Sequence, residues 1–174
     1  IRGAFATLRA NPMAAYAVAT IALSHMVMVA VMSMTPIHMK SHGATLVLVG
    51  FTISLHIAGM YAFSPVFGWL ADRIGKLQTV LVGQGILIAA LAMAGLGALN
   101  HTLVGIGLFW LGLGWSAATV SGSALLGETL SSDERTNVQG LSDSLMNLSG
   151  AFGGAVSGSI LAAFAFGGLN AAAF

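Results

Sequence analysis

The stretch from Thr45 to Ala71 reads TLVLVGFTISLHIAGMYAFSPVFGWLA and contains no Asp, Glu, Lys or Arg. A helix that crosses a bilayer needs about 20 largely apolar residues. The run is continuously apolar rather than alternating, which indicates a helix and not a barrel strand. Residues 13–35, 77–99 and 102–126 pass the same test without a charged side chain, and residues 138–167 pass it with Asp143 alone. Composition agrees: 57% of the chain is hydrophobic and 6% charged, where soluble domains carry roughly a quarter charged residues. The expectation is an all-α, polytopic transmembrane helix bundle, one domain over residues 1–174. It has five spans, and residues 170–174 begin a sixth.

Punctuation between the runs supports these boundaries. Asn11-Pro12 is a cap followed by the favoured first-turn proline. Pro36 is expected to close the first span, and Pro65 to kink the second. Asn100-His101 makes a very short turn, so the third and fourth spans should be antiparallel neighbours. Ser131-x-x-Glu134 fits a capping box that starts the fifth helix in water. With the N-terminus inside, the inner segments hold Arg2, Arg9, Arg73, Lys76 and Arg135, and the outer ones only Lys40. That bias places the N-terminus in the cytoplasm.

The loop between the second and third spans reads Gly68-Trp69-Leu70-Ala71-Asp72-Arg73-Ile74-Gly75-Lys76. It resembles the signature loop of the major facilitator superfamily, Gly-x-Leu-Ala-Asp-Arg-x-Gly-Arg/Lys, which joins the second and third helices of a six-helix half. Glu128 to Gly140, ending in Arg135-x-x-x-Gln139-Gly140, is similar to the loop between helices four and five. The lead-in from Ile1 to Asn11 resembles the end of the linker between halves. The run from Met34 through the signature loop resembles second halves of bacterial members. The chain, which opens without Met and stops in an apolar run, therefore reads as the C-terminal half of a longer protein. The resemblance implies that the first, second, fourth and fifth spans line a central path and the third lies outside it. It also implies that Asp72 and Arg73 gate against the other half.

Physical reasons accompany the loop. Gly68 is expected to allow a close helix approach and Gly75 a tight reversal. Asp72 sits at a helix C-terminus, where a negative charge is unfavourable alone and calls for a cation. Arg73 is expected to pair with Glu128.

Within the spans, His25 and His56 are mid-helix and ionisable, which makes each a candidate for proton or substrate contact. A neutral histidine bonded to a backbone carbonyl is the plain alternative. Trp110 and Trp115 lie away from the usual interfacial belt and are candidates to line a cavity. Gln139, Asp143 and Asn147 form a polar stripe, with Asp143 and Asn147 expected on the solute path. Gly150, Gly154 and Gly158 form a small-residue packing face.

Exclusions follow as well. Net charge is +1, so no nucleic-acid partner is expected. Cysteine is absent, no nucleotide-binding motif is present, and no catalytic constellation stands out. The expected role is a secondary active transporter in a bacterial plasma membrane, not an enzyme, with no cofactor. It would move a small organic solute by alternating access, with protons as coupling ions and drug or metabolite efflux as one direction. Its partners would be the lipid bilayer, the solute and the other half of the protein. Two alternatives stay open. One is a metal-ion transporter using His25, His38, His42 and the methionines near them, since soft ions favour such ligands. The other is a non-transporting membrane scaffold or sensor.

Overall fold

This computed structural model describes residues 2–174, so Ile1 of the lead-in lies outside the described residues. The elements are α1 (Arg2–Ala10), α2 (Pro12–Ser41), α3 (Leu46–Tyr61), α4 (Ser64–Ile74), α5 (Lys76–Leu96), α6 (His101–Thr129) and α7 (Ser132–Ala173). Five spans result, because α3 and α4 form one crossing from Leu46 to Ile74 with a break at its middle.

Local chemistry accounts for the ends. The Asn11 side chain accepts from the Ala14 N–H at 3.1 Å to cap α2. Thr45 caps α3 through the Leu48 N–H, and Asn100 caps α6 through the Thr102 and Leu103 N–H groups. The expected capping box is present: the Ser131 N–H and hydroxyl both donate to the Glu134 carboxylate. Pro65 breaks the second crossing outright, leaving Ala62 and Phe63 between α3 and α4.

Three expectations are corrected, and the lead-in adds a helix on which the sequence reading made no statement. Pro36 does not close α2, which runs on to Ser41. A membrane helix tolerates an internal proline when nearby hydroxyls and neighbours satisfy the freed backbone, and Thr35 donates to the Val31 carbonyl at 2.8 Å. The turn before α6 takes in Gly97 to Asn100 rather than Asn100-His101. The lead-in forms a short helix, α1, which buries Ala4 and leaves Phe5 and Arg9 exposed. The sixth helix begins earlier than residue 170. Ala165, at φ 56° and ψ −173°, turns the chain sharply. Residues 166–173 then fold back: Phe166 stacks on His38, while Ala172 to Phe174 lie with Leu23, Ser24 and Gln84 near the middle of α2 and α5.

The bundle has two distinct ends. The Asn11 amide donates to the Thr129 carbonyl at 2.8 Å, Thr7 donates to Glu134, and Lys76 pairs with Glu128 at 3.2 Å. These contacts gather the start of α2, the α4–α5 loop and the α6–α7 loop, with Arg9, Arg73, Lys76 and Arg135. His38 bonds the Ala98 carbonyl at 2.7 Å and so joins the α2–α3 and α5–α6 loops at the other end, where Lys40 lies. Glu134 stands at the basic end before α7 enters lipid. Hydrogen bonds from the Ser131 hydroxyl, Thr7 and the Ser131 N–H hold its carboxyl below the usual range.

Lipid is as apolar as leucine, so helix association relies on close packing. Helix α6 is the hub. A Cβ on Gly83 of α5 would lie 2.7 Å from the Ala118 nitrogen, and one on Gly59 of α3 2.7 Å from the Phe109 carbonyl oxygen. Helix α7 packs on α2 through small residues too. Ser149 donates to the Ala22 carbonyl, Gly150 abuts His25 and Gly153 abuts the Met26 carbonyl, and Ser157 meets Ser33. The packing face is thus Gly150, Gly153 and Ser157. Gly154 makes only ordinary contact with Val29, and Gly158 meets nothing. Residues four apart drift about 40° round a helix per step, whereas alternating steps of three and four keep to one face.

Candidate functional site

Four spans bring side chains together near their midpoints. The Trp115 indole on α6 donates to His25 Nδ1 on α2 at 3.1 Å. The two rings lie 5.9 Å apart, tilted by 47°. Tyr61, the last residue of α3, meets Trp115 edge-on at 6.1 Å and 74°. Gly150 of α7 supplies a floor, since a Cβ there would lie 2.5 Å from His25 Cδ2. Trp115 is 9% exposed and Tyr61 61% exposed, so the cluster is walled on one side and open on the other.

The chemistry of the pair is specific. An indole N–H only donates, so Nδ1 of His25 must be an unprotonated acceptor. A neutral His25 therefore carries its proton on Nε2, at the ring edge that packs against Gly150. Protonating Nδ1 requires the Trp115 bond to break.

The helix break lies beside this cluster. Ala62 and Phe63 interrupt the crossing directly after Tyr61. The Ser64 hydroxyl donates to the Met60 carbonyl and lies 3.1 Å from the Ser116 hydroxyl of α6. Irregular backbone at membrane depth is tolerated only where protein or a polar cavity surrounds it.

The other sequence candidates are distributed differently. His56 is fully buried, and its Nδ1 donates to the Leu108 carbonyl at 2.7 Å. It belongs to the α3–α6 contact rather than to the α2 cluster. Trp110 is 39% exposed and, five residues before Trp115, points about 140° away from it round the helix. Asp143 and Asn147 lie exposed on α7 rather than inside the bundle. The Asn147 amide donates to the Asp143 carbonyl at 2.8 Å. Both belong to the flank of α7 that also carries Gly150, away from the outward-facing Leu148 and Phe152.

In the signature loop, Gly75 adopts φ 106°, which only glycine accepts readily. Lys76, not Arg73, pairs with Glu128, because Arg73 lies over the Trp69 ring at 5.1 Å. Gly68 makes no close approach: a Cβ there would meet nothing. Asp72 is exposed and has no ion pair or hydrogen bond among the described residues. Arg135 donates to the Leu130 carbonyl. No three His, Asp or Glu side chains converge as a metal site among the described residues.

Tyr61 escaped the sequence reading. Its cue was the proline four residues later, which marks where the crossing breaks.

A profile of the Major Facilitator Superfamily matches residues 11–173. Two transporters of Bacillus subtilis, YdeG and YddS, are named only as uncharacterized members of that class. They are 43% and 39% identical over 80% of this chain, covering 33% and 32% of their own lengths. A riboflavin transporter, RfnT, of Brucella anthropi is 31% identical over 71% of the chain and 31% of its own length. The chain thus spans about a third of the length of these curated relatives. No solved structure matches.

Proposed function

The chain belongs to the major facilitator superfamily, and from that premise we propose that it supplies one half of a secondary active transporter for a small organic solute. The convergence of His25, Tyr61, Trp115 and Gly150 on an open, mid-span site carries this reading. Secondary transporters bind at the midplane, beside discontinuous helices, and the break after Tyr61 matches that arrangement. Alternating access then rocks this half against the other. Asp72, exposed and unpartnered here, docks on the other half, while Lys76–Glu128 holds the basic end together.

Protons drive the cycle through His25. A charged ring within a span is costly, and protonation at Nδ1 would release Trp115 from its hydrogen bond. Solute occupancy and protonation of His25 are thereby coupled. Asp143 and Asn147 line the path toward the basic end, which faces the cytoplasm of a bacterial inner membrane by the positive-inside rule.

The test is transport by the full-length protein in proteoliposomes. Proton-driven solute accumulation is expected, and His25→Ala should abolish it while solute counterflow persists. Coupling that survives His25→Ala removes His25 as the proton carrier. Absence of any solute flux would favour a scaffold or sensor.

A further inference from the structure

We infer that His38 and His101 form an acid-released clasp at the Lys40 end of the bundle, shut while both rings are neutral and opened by their protonation. This goes beyond the transporter reading, which stands or falls on solute flux. The proposed topology puts this end outside the cell, so the clasp responds to the external medium.

The geometry lies wholly within this chain, because His38 is only 5% exposed. Its Nε2 lies 2.7 Å from the Ala98 carbonyl. A carbonyl only accepts, so Nε2 carries the proton and Nδ1 of the neutral ring is bare. One ring face stacks on the buried Phe166 at 4.2 Å and 10°. His38 thus fastens three segments: the end of α2, the turn before α6 and the chain beyond Ala165. His101 opens α6 three residues after Ala98. Its Nε2 is buried and has no hydrogen-bond partner among the described residues.

The titratable groups around His38 are all bases. The His42 ring is 4.3 Å away, His101 lies within electrostatic reach, and Lys40 is two residues along α2. Residues 43–45, 97–100 and 166–174 carry no Asp, Glu, Lys, Arg or His, and the one such residue of α3, His56, faces Leu108. His42 is exposed and its Nδ1 donates to the His38 carbonyl at 2.9 Å. It can therefore charge with the clasp shut, and its cation then repels a second one on His38. Three contacts act the other way: the Phe166 face, the C-terminal end of α2 and the Ala98 carbonyl each attract a cation. Together they replace only part of the hydration that a charged ring loses on burial.

Histidines that are buried neutral and charge on exposure make acid favour the open state. With ordinary titration near pH 6.5 once open, a fall from about pH 7.5 to about pH 5 raises the open-to-shut ratio by up to about thirtyfold per ring.

The test uses the purified full-length protein, carrying spin labels at Leu46→Cys and Leu99→Cys on an otherwise cysteine-free background. Both positions are exposed, one on each side of the clasp. Pulsed electron paramagnetic resonance should give one narrow distance at pH 7.5 and a longer, broader population at pH 5. His38→Gln keeps an amide donor for Ala98 but does not titrate. It should remove most of the acid change, and His38→Gln with His101→Gln all of it. His42→Gln is the control and should still open in acid. Thermal melting at pH 7.5 establishes that each variant is folded. A parent distance that is the same at both pH values, or that narrows in acid, overturns the clasp. So does acid opening that persists in the folded double variant.

Discussion

At the residue scale, His25 and His56 show how one side chain takes opposite roles in similar sequence surroundings. His25 accepts from an indole and turns its Nε2 edge to Gly150. His56 donates to a backbone carbonyl and is sealed between α3 and α6. His56→Ala is therefore expected to lower stability by about 1–3 kcal/mol through the lost hydrogen bond and packing. Thermal melting in detergent reads that loss, and proton coupling should survive in the folded fraction. Asp72 makes the contrasting prediction. It is exposed and makes no ion pair or hydrogen bond among the described residues, so Asp72→Asn should leave melting and insertion unchanged while slowing counterflow by about tenfold, the effect of losing one charge-assisted contact. Unchanged counterflow would remove Asp72 from the gate.

At the element scale, packing rests on glycines whose neighbours are backbone atoms. Gly153→Val and Gly59→Val would push a side chain into the Met26 and Phe109 carbonyls, and each should cost about 1–3 kcal/mol. Gly158→Val meets open space and should be nearly silent in the same melting assay. Ala165 tests the reverse effect. Its backbone lies in a region almost reserved for glycine, so Ala165→Gly should stabilise the chain by about 1 kcal/mol. A fall in melting temperature on that change would argue against the turn. The sequence pointed to small residues on α7, but their register against α2 was not legible. A row of glycines permits contact along several faces, and the neighbouring helix selects one.

At the scale of the whole molecule, the separation of charge between two ends is a property of the assembled bundle. The contacts Asn11–Thr129 and His38–Ala98 tie loops far apart in sequence to opposite ends. The chain has no cysteine, so single cysteines report orientation cleanly. Ser132→Cys is expected to react with an impermeant maleimide only from the cytoplasmic side, and Ser41→Cys only from outside. The opposite pattern would invert the proposed topology.

Membrane residence, the number of spans and the family were all legible in the sequence. Each depends on local quantities: the length of an apolar run, the position of a cap, and nine residues of a loop. Tertiary structure alone decided which side chains share a site. Thr45 to Ala71 announces a membrane crossing by composition, yet nothing in its order says that Tyr61 will meet Trp115, or that His56 will turn away from His25. Those outcomes depend on the rotation of each helix about its axis. In lipid that rotation is set by fine contact between helices, because apolar side chains are equally soluble on every face. The same limit explains Lys76 and Arg73: the loop sequence offers two cations to Glu128, and only the packed geometry chooses between them.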